Sequence, residues 1–84
     1  LERSSGKCEA CDRPAPFETR NGRPYLEVHH IVPVSEGGAD RPTNVAAVCP
    51  NCHARVTHGD DAKPYNDTIQ KKISAKEASL GEIL

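Results

Sequence analysis

Four cysteines and four histidines hold most of the chemistry open to this 84-residue chain. The cysteines fall as Cys8-x-x-Cys11 and, 37 residues later, Cys49-x-x-Cys52. A C-x-x-C pair forms a knuckle, a tight turn that lets two sulfurs reach one ion, and two such pairs are the usual spacing of a four-thiolate zinc site. The separation is longer than in a zinc finger, but it leaves room for a hairpin and a loop between the knuckles. Two disulfides would suit a secreted protein, and a thioredoxin-like motif would need one pair in a βαβ setting. Structural Zn2+ on Cys8, Cys11, Cys49 and Cys52 is the better reading. It requires reduced thiols, hence a cytoplasmic location, and it adds the metal's binding energy to folding.

The histidines are His29, His30, His53 and His58. His29 and His30 sit side by side in the β-prone run "LEVHHIVP". Neighbouring side chains of a strand point to opposite faces, so the two are expected to have different jobs. His53 follows Cys52 directly, where a zinc knuckle would hold it rigidly. With all four cysteines spent on one closed site, the histidines suggest a second, more open one.

The elements that must position these groups can be read in outline. The length allows one small domain, and with 36% apolar and 4% aromatic residues its core is too thin to stand without a staple. Residues 1–7 read as a polar lead-in or linker. Residues 17–30 read as a hairpin, "FETR", "NG", "RPYLEVHH", in which Asn21-Gly22 is the sequence of a type I′ turn. Pro24 makes the start of its second strand irregular. Ile31 to Thr43 is a loop, because Pro33, Gly37, Gly38 and Pro42 exclude regular structure. "NVAAV" is a short strand or the approach to a helix. A helix runs from about Pro50 to a stop at Gly59. A second helix covers about 66–84, with Ile69, Ile73, Leu80 and Leu84 near one face and Lys71, Lys72 and Lys76 on a solvated one. The divisions are therefore 1–7, a core over 8–59, and a C-terminal helical segment over 60–84. No apolar run approaches the ~20 residues of a membrane span, and no signal peptide opens the chain. A chain that starts at Leu1 and contains no Met reads as a piece of a longer protein.

"LEVHHIVPVSEGG", then "NVAAVCPNCH", with a C-x-x-C upstream, resembles the HNH endonucleases, and within them the zinc-containing, McrA-like branch associated with restriction of modified DNA. The resemblance covers about Cys8 to Gly59. It implies a small α+β, treble-clef-like ββα-metal fold, zinc-stapled and followed by a C-terminal helix. It implies that His29 ligates a catalytic divalent metal, that His30 is the general base, that Asn44 braces the loop and the base, and that His53 is the second metal ligand. The implied reaction is metal-assisted hydrolysis of DNA phosphodiester bonds. The metal could be Mg2+, Mn2+, Co2+, Ni2+ or Zn2+, since imidazole suits several ions.

One departure concerns His58. Related sequences often carry a further ligand histidine four residues after the last motif histidine, but here that position is Thr57 and the histidine comes one later. Five residues turn a helix by about 500°, about 140° off the face of His53. His58 reaches the metal only if the helix end unwinds; otherwise it is a solvated histidine on the C-terminal dipole. Arg55 has two readings as well, a phosphate contact or a solvated arginine.

Formal net charge is −1, and four thiolates with one Zn2+ take it to about −3. DNA affinity comes mainly from Lys and Arg neutralising phosphates, so this charge argues for a cleavage module whose target-recognition domain lies elsewhere in the same longer protein. A homodimer that cuts both strands is compatible with it. The rival reading is a non-catalytic, zinc-stabilised module that binds nucleic acid or protein, for which the histidines would be dispensable. A weaker third is zinc storage or sensing, which has no need of Asn44 or the Gly-Gly loop.

Overall fold

Two short strands and two helices follow one another in the order ββαα, and the computed structural model describes residues 2–83, with side chains over 3–80. Strand β1 (Glu27–His30) pairs antiparallel with β2 (Val45–Val48), His29 opposite Ala46 and His30 opposite Val45. Helix α1 (Pro50–His58) follows at once, and α2 (Ala62–Ile83) returns across it. The result is the expected small α+β domain.

The hairpin expected over 17–30 forms only in its outer half. Thr19 donates to the Arg23 carbonyl (2.7 Å) and its own carbonyl accepts from Gly22 (2.8 Å). Gly22 has φ +75° while Asn21 does not take positive φ, so the turn is not type I′, which needs positive φ at both central residues. Pairing passes through the Glu18–Pro24 bridge and ends with Tyr25 N–H donating to Phe17 O (2.9 Å). Beyond Tyr25 the chain turns instead to β2, all four residues of which are buried. The loop over 31–43 is not wholly irregular: single 3-10 turns form at Val34–Glu36 and, at its end, Pro42–Asn44.

The outer edge of β2 is closed by the N-terminal segment. Glu9 donates its backbone N–H to the Ala47 carbonyl (2.8 Å) and its carboxylate accepts from Ala47 N–H (2.9 Å). Arg3 reaches the carbonyls of Val45 and Pro42, both at 2.7 Å, and grips the wholly buried Glu9 through Nε (2.7 Å) and Nη2 (2.9 Å). It also pairs with Glu77. Burial opposes ionisation of Glu9, but Arg3, the Ala47 amide and Lys76 outweigh it and hold the carboxyl below its usual range. The segment read as a polar lead-in is thus part of the fold from Arg3 onward.

Helix α2 starts at Ala62, four residues before the expected Asn66. Pro64 lies in the first turn, where a missing N–H needs no partner, and Tyr65 N–H makes an early helical bond to Asp61 O (2.9 Å). Ile69 and Ile73 are fully buried against Ile31, Ala46, Val48 and Val56. Leu80 is 44% exposed, so the apolar stripe leaves the core before that point. Leu84 lies outside the described residues. The lysine face is only partly solvated: Lys71 is exposed, but Lys72 Nζ donates to Ala10 O and to Asp12 (both 2.7 Å) and Lys76 Nζ to Glu9 (3.2 Å).

Those lysines hold the first knuckle in place. Its turn runs through Asp12 at φ +65°, closed by Asp12 N–H to Cys8 O (2.9 Å) and Cys8 N–H to Arg13 O (2.8 Å). The second knuckle is the start of α1, where Cys49 caps the helix by accepting from Cys52 N–H (3.5 Å) and Pro50 takes the first position. The four cysteines are unpaired as disulfides, and their sulfurs all lie within 4.8 Å of one another. A tetrahedral zinc with bonds of about 2.3 Å needs sulfur separations of this order. Crowding drives the thiols apart in acidity. Burial opposes ionisation of Cys8, but amide donors bring it down to about 7, whereas burial pushes Cys52 up to about 12. A divalent cation is the charge that lets all four ionise together. The donor set therefore fits structural zinc.

Two outcomes test these arrangements. Arg3→Ala leaves Glu9 buried with Lys76 as its remaining cation and should destabilise the zinc-loaded protein by about 3 kcal/mol, read from denaturant unfolding in excess zinc. Cys8→Ser, or a strong chelator, should abolish the helical circular dichroism and the cooperative transition; a Cys8→Ser protein with native helix content would show that the clamp is dispensable.

Candidate active site

Three of the four histidines line one open cleft of about 680 Å3, between β1, the loop that follows it, α1 and the first turns of α2. His29 and His30, adjacent on β1, both line the cleft but make separate contacts. His29 is half-buried and opposite the small Ala46; its Nε2 lies 2.8 Å from Oδ1 of Asn66 on α2. His30 contacts the carboxylate of Asp40, a highly exposed loop residue. His53, on the first turns of α1, has Nδ1 2.8 Å from Glu27 Oε1. The rings of His29 and His53 meet edge to face, with centroids 5.6 Å apart.

Electrostatics favour neutral imidazole at His29: burial, then the nearby His53 and His30, outweigh the Asn66 contact and lower its pKa. Hydrogen bonds from His53 and Tyr25 hold the Glu27 carboxyl below its usual range. Among the described residues the four cysteines are the only cluster of three or more His, Cys, Asp or Glu groups close enough to share an ion. His29 and His53 thus form a pair. Each ring has one nitrogen engaged and one left, which fits a divalent ion whose remaining positions go to water or phosphate.

Asn44 ends the loop and holds it by its side chain. Oδ1 accepts from Val32 N–H (2.9 Å), and Nδ2 donates to Val32 O (3.1 Å) and Ala39 O (2.9 Å). Its backbone carbonyl accepts from Ile31 N–H (2.9 Å). The segment just after His30 is therefore fastened to the residue just before β2. Gly38 is packed into this arrangement so closely that a Cβ there would sit 1.7 Å from Val32 O.

His58 is not brought to the cleft. Helix α1 stays regular through His58, closed by Gly59 N–H to Arg55 O (2.8 Å), and His58 is exposed. Thr57, at the position of the missing ligand, lines the cleft but gives its hydroxyl to His53 O (2.9 Å). Arg55 is neither free nor near the histidines' cleft: it pairs with Asp61 and lies 4.0 Å over the Tyr65 ring.

Sequence reasoning missed Glu27, Asp40 and Asn66. Glu27 could have been found, since it precedes His29 by two and so shares its face of the strand. Asp40 and Asn66 have no local signal, because each meets its histidine through chain folding.

The model of the HNH endonuclease family matches residues 8–59, more than half of the chain. Over 74 residues the chain is 51% identical to the Type IV methyl-directed restriction enzyme EcoKMcrA of Escherichia coli, covering 88% of this chain and 27% of that protein. A shorter stretch of 32 residues, 38% of this chain and 42% of its counterpart, is 41% identical to Anaredoxin of a Nostoc species. The solved structure of the Type IV phosphorothioation-dependent restriction endonuclease ScoMcrA superposes on 94% of this chain with a TM-score of 0.84 and 31% identity, and the chain corresponds to 15% of that structure. This chain thus spans about a quarter or less of the restriction enzymes it matches. With the thiol clamp, the ββα order and the histidine cleft on the same segment as the family match, the chain belongs to the HNH endonuclease family.

Proposed function

We propose that this chain is the metal-dependent cleavage domain of a larger DNA-restricting protein, and that it hydrolyses phosphodiester bonds at the His29–His30–His53 cleft. The observation that carries this reading is the edge-to-face pair of His29 and His53, with His30 lining the same cleft.

His29 and His53 would hold the divalent ion, which when bound supplies Lewis acidity at the phosphate. Mg2+, Mn2+, Co2+, Ni2+ and Zn2+ all remain candidates, since an imidazole pair discriminates weakly among them. His30 removes a proton from the attacking water. Its Nε2–H is donated to Asp40, so Nδ1 takes the proton, and the Asp40 carboxylate then faces the imidazolium that forms. Asn44 keeps the segment after His30 from moving during that transfer. His58 has no part in this arrangement.

Target choice belongs to another part of the protein. The formal net charge of −1 gives the domain no excess of cations for DNA phosphates, and Arg3, Arg55, Lys72 and Lys76 are paired with carboxylates of the fold. The methyl-directed and phosphorothioation-dependent relatives suggest modified DNA as the substrate. Reduced thiols call for a reducing compartment such as the cytoplasm, and no helix among the described residues is long and apolar enough to cross a membrane. Cutting both strands calls for two copies or two successive nicks.

The test is a cleavage assay of the full-length protein on modified and unmodified DNA with each of these ions. Cleavage should depend on the divalent ion, and His30→Ala should lose at least about 100-fold in rate while zinc content and circular dichroism stay unchanged. Undiminished cutting by His30→Ala would remove it as the base. Absence of any ion-dependent cutting by the wild type would favour a non-catalytic zinc module.

A further inference from the structure

The two candidate metal-binding histidines are engaged through different ring nitrogens, and neither contact belongs to the histidine-asparagine-histidine set itself. We propose that Asn66 and Glu27 are positioning residues that fix opposite tautomers at His29 and His53, so that His29 offers Nδ1 and His53 offers Nε2 to the divalent ion. This rests on the reading that those two histidines hold it.

At His29 the amide of Asn66 cannot be turned round. Its Nδ2 donates to the Ile31 carbonyl (3.0 Å), so the atom facing His29 Nε2 at 2.8 Å is an acceptor, Oδ1. Nε2 must then carry the hydrogen, and the lone pair is on Nδ1. At His53 the acceptor is a carboxylate. Glu27 Oε1 lies 2.8 Å from Nδ1, so Nδ1 carries the hydrogen and the lone pair is on Nε2.

Each positioning residue is itself held. Asn66 is tied to the first residue after β1 by the Ile31 bond. Glu27 Oε2 accepts from the Tyr25 hydroxyl (2.8 Å), and the Tyr25 ring stacks on Phe17 with centroids 4.7 Å apart and an interplanar angle of 16°. The outer hairpin, which adds nothing to the buried core cluster, thereby acquires a purpose: it fixes the carboxylate that fixes His53. The Glu27–His53 pair is about a third exposed on both sides, so its contribution to fold stability is small. Its effect belongs to the ion. A ring already in the right tautomer and orientation binds without rearrangement, and a partnered carboxylate raises the basicity of the ligating nitrogen.

The test uses the zinc-loaded protein labelled with 15N-histidine. Long-range proton–nitrogen spectra above the histidine titration range should give the Nε2–H form for His29 and the Nδ1–H form for His53. Asn66→Ala and Glu27→Ala should each return their own histidine to a tautomer mixture and leave the other unchanged. Each should also weaken Mn2+ binding, followed by the spin resonance of free Mn2+, by about 10–100-fold. Glu27→Gln keeps an acceptor oxygen without the charge, so it should retain the His53 tautomer and recover part of the affinity. Zinc content and circular dichroism serve as the folding control, and the Gln variant carries the test if Glu27→Ala does not fold. Reversed tautomers in the wild type, or wild-type tautomers and affinity in both alanine variants, would overturn the proposal. If instead His29→Ala and His53→Ala bind Mn2+ as tightly as wild type, the underlying site assignment fails and the proposal falls with it, whatever the tautomers are.

Discussion

The peptide bond between Cys52 and His53 is the constraint on which the rest of the structure depends. One side of it is a thiol of the zinc clamp, and the other is an imidazole of the cleft, so the rigidity of the first becomes the rigidity of the second. Helix α2 repeats the arrangement from across the core. Tyr65 donates its hydroxyl to Cys52 Sγ (3.1 Å), and its neighbour Asn66 meets His29. Two consecutive residues on each helix therefore join the same two sites. A chain with one Phe, no Trp and no Met has little apolar packing with which to fix its histidine cleft, and the four-thiol cluster, which fits a structural zinc, stands directly beside it.

The second support is a buried ionic lattice. Glu9 is wholly buried, yet it has two cationic partners, Arg3 and Lys76, and a strand amide, so its carboxylate is satisfied on every side. Lys72 fastens the adjacent knuckle to α2 in the same way. No buried side-chain nitrogen or oxygen among the described residues lacks a partner. A network of this kind stabilises less than an equal volume of well-packed apolar residues would, but breaking it is costly, which makes the fold particular about its geometry. It also turns the cations of Arg3, Lys72 and Lys76 toward carboxylates of the fold.

How much of this could be read beforehand depended on the range of each signal. The C-x-x-C pairs, Pro50 and Gly59 act within a few residues, and they predicted both knuckles and the bounds of α1 correctly. Strand alternation led to the expectation that His29 and His30 differ, and their contacts do differ, Asn66 for one and Asp40 for the other. The Asn21-Gly22 turn was right in place and wrong in type, since Asn21 does not take positive φ, and the pairing it starts ends at Phe17 and Tyr25. Arg3 was expected in a linker and Lys72 and Lys76 on a solvated face, while Glu9 and Asn66 carried no expectation of a role. Their partners lie up to 74 residues away, and nothing in their neighbourhoods announces them. Lys72 and Lys76 were expected on a solvated face, but Lys76 comes seven residues after Ile69, about 20° from it around the helix, and both lysines reach the first knuckle. The question left by His58 turned on whether the helix end unwinds, and a regular last turn answers it.

The sharing of one turn of α1 between clamp and cleft has a consequence for the cell that makes such a protein. A polypeptide able to cut DNA is dangerous to its own host from the moment of synthesis. Oxidation of Cys49 would take away the N-cap of α1, and an empty thiol clamp would leave the helix start unsupported, so a copy in either state would not hold His53 opposite His29. Folding then acts as a licence: the geometry of the histidine cleft is granted only to molecules whose four thiols are intact.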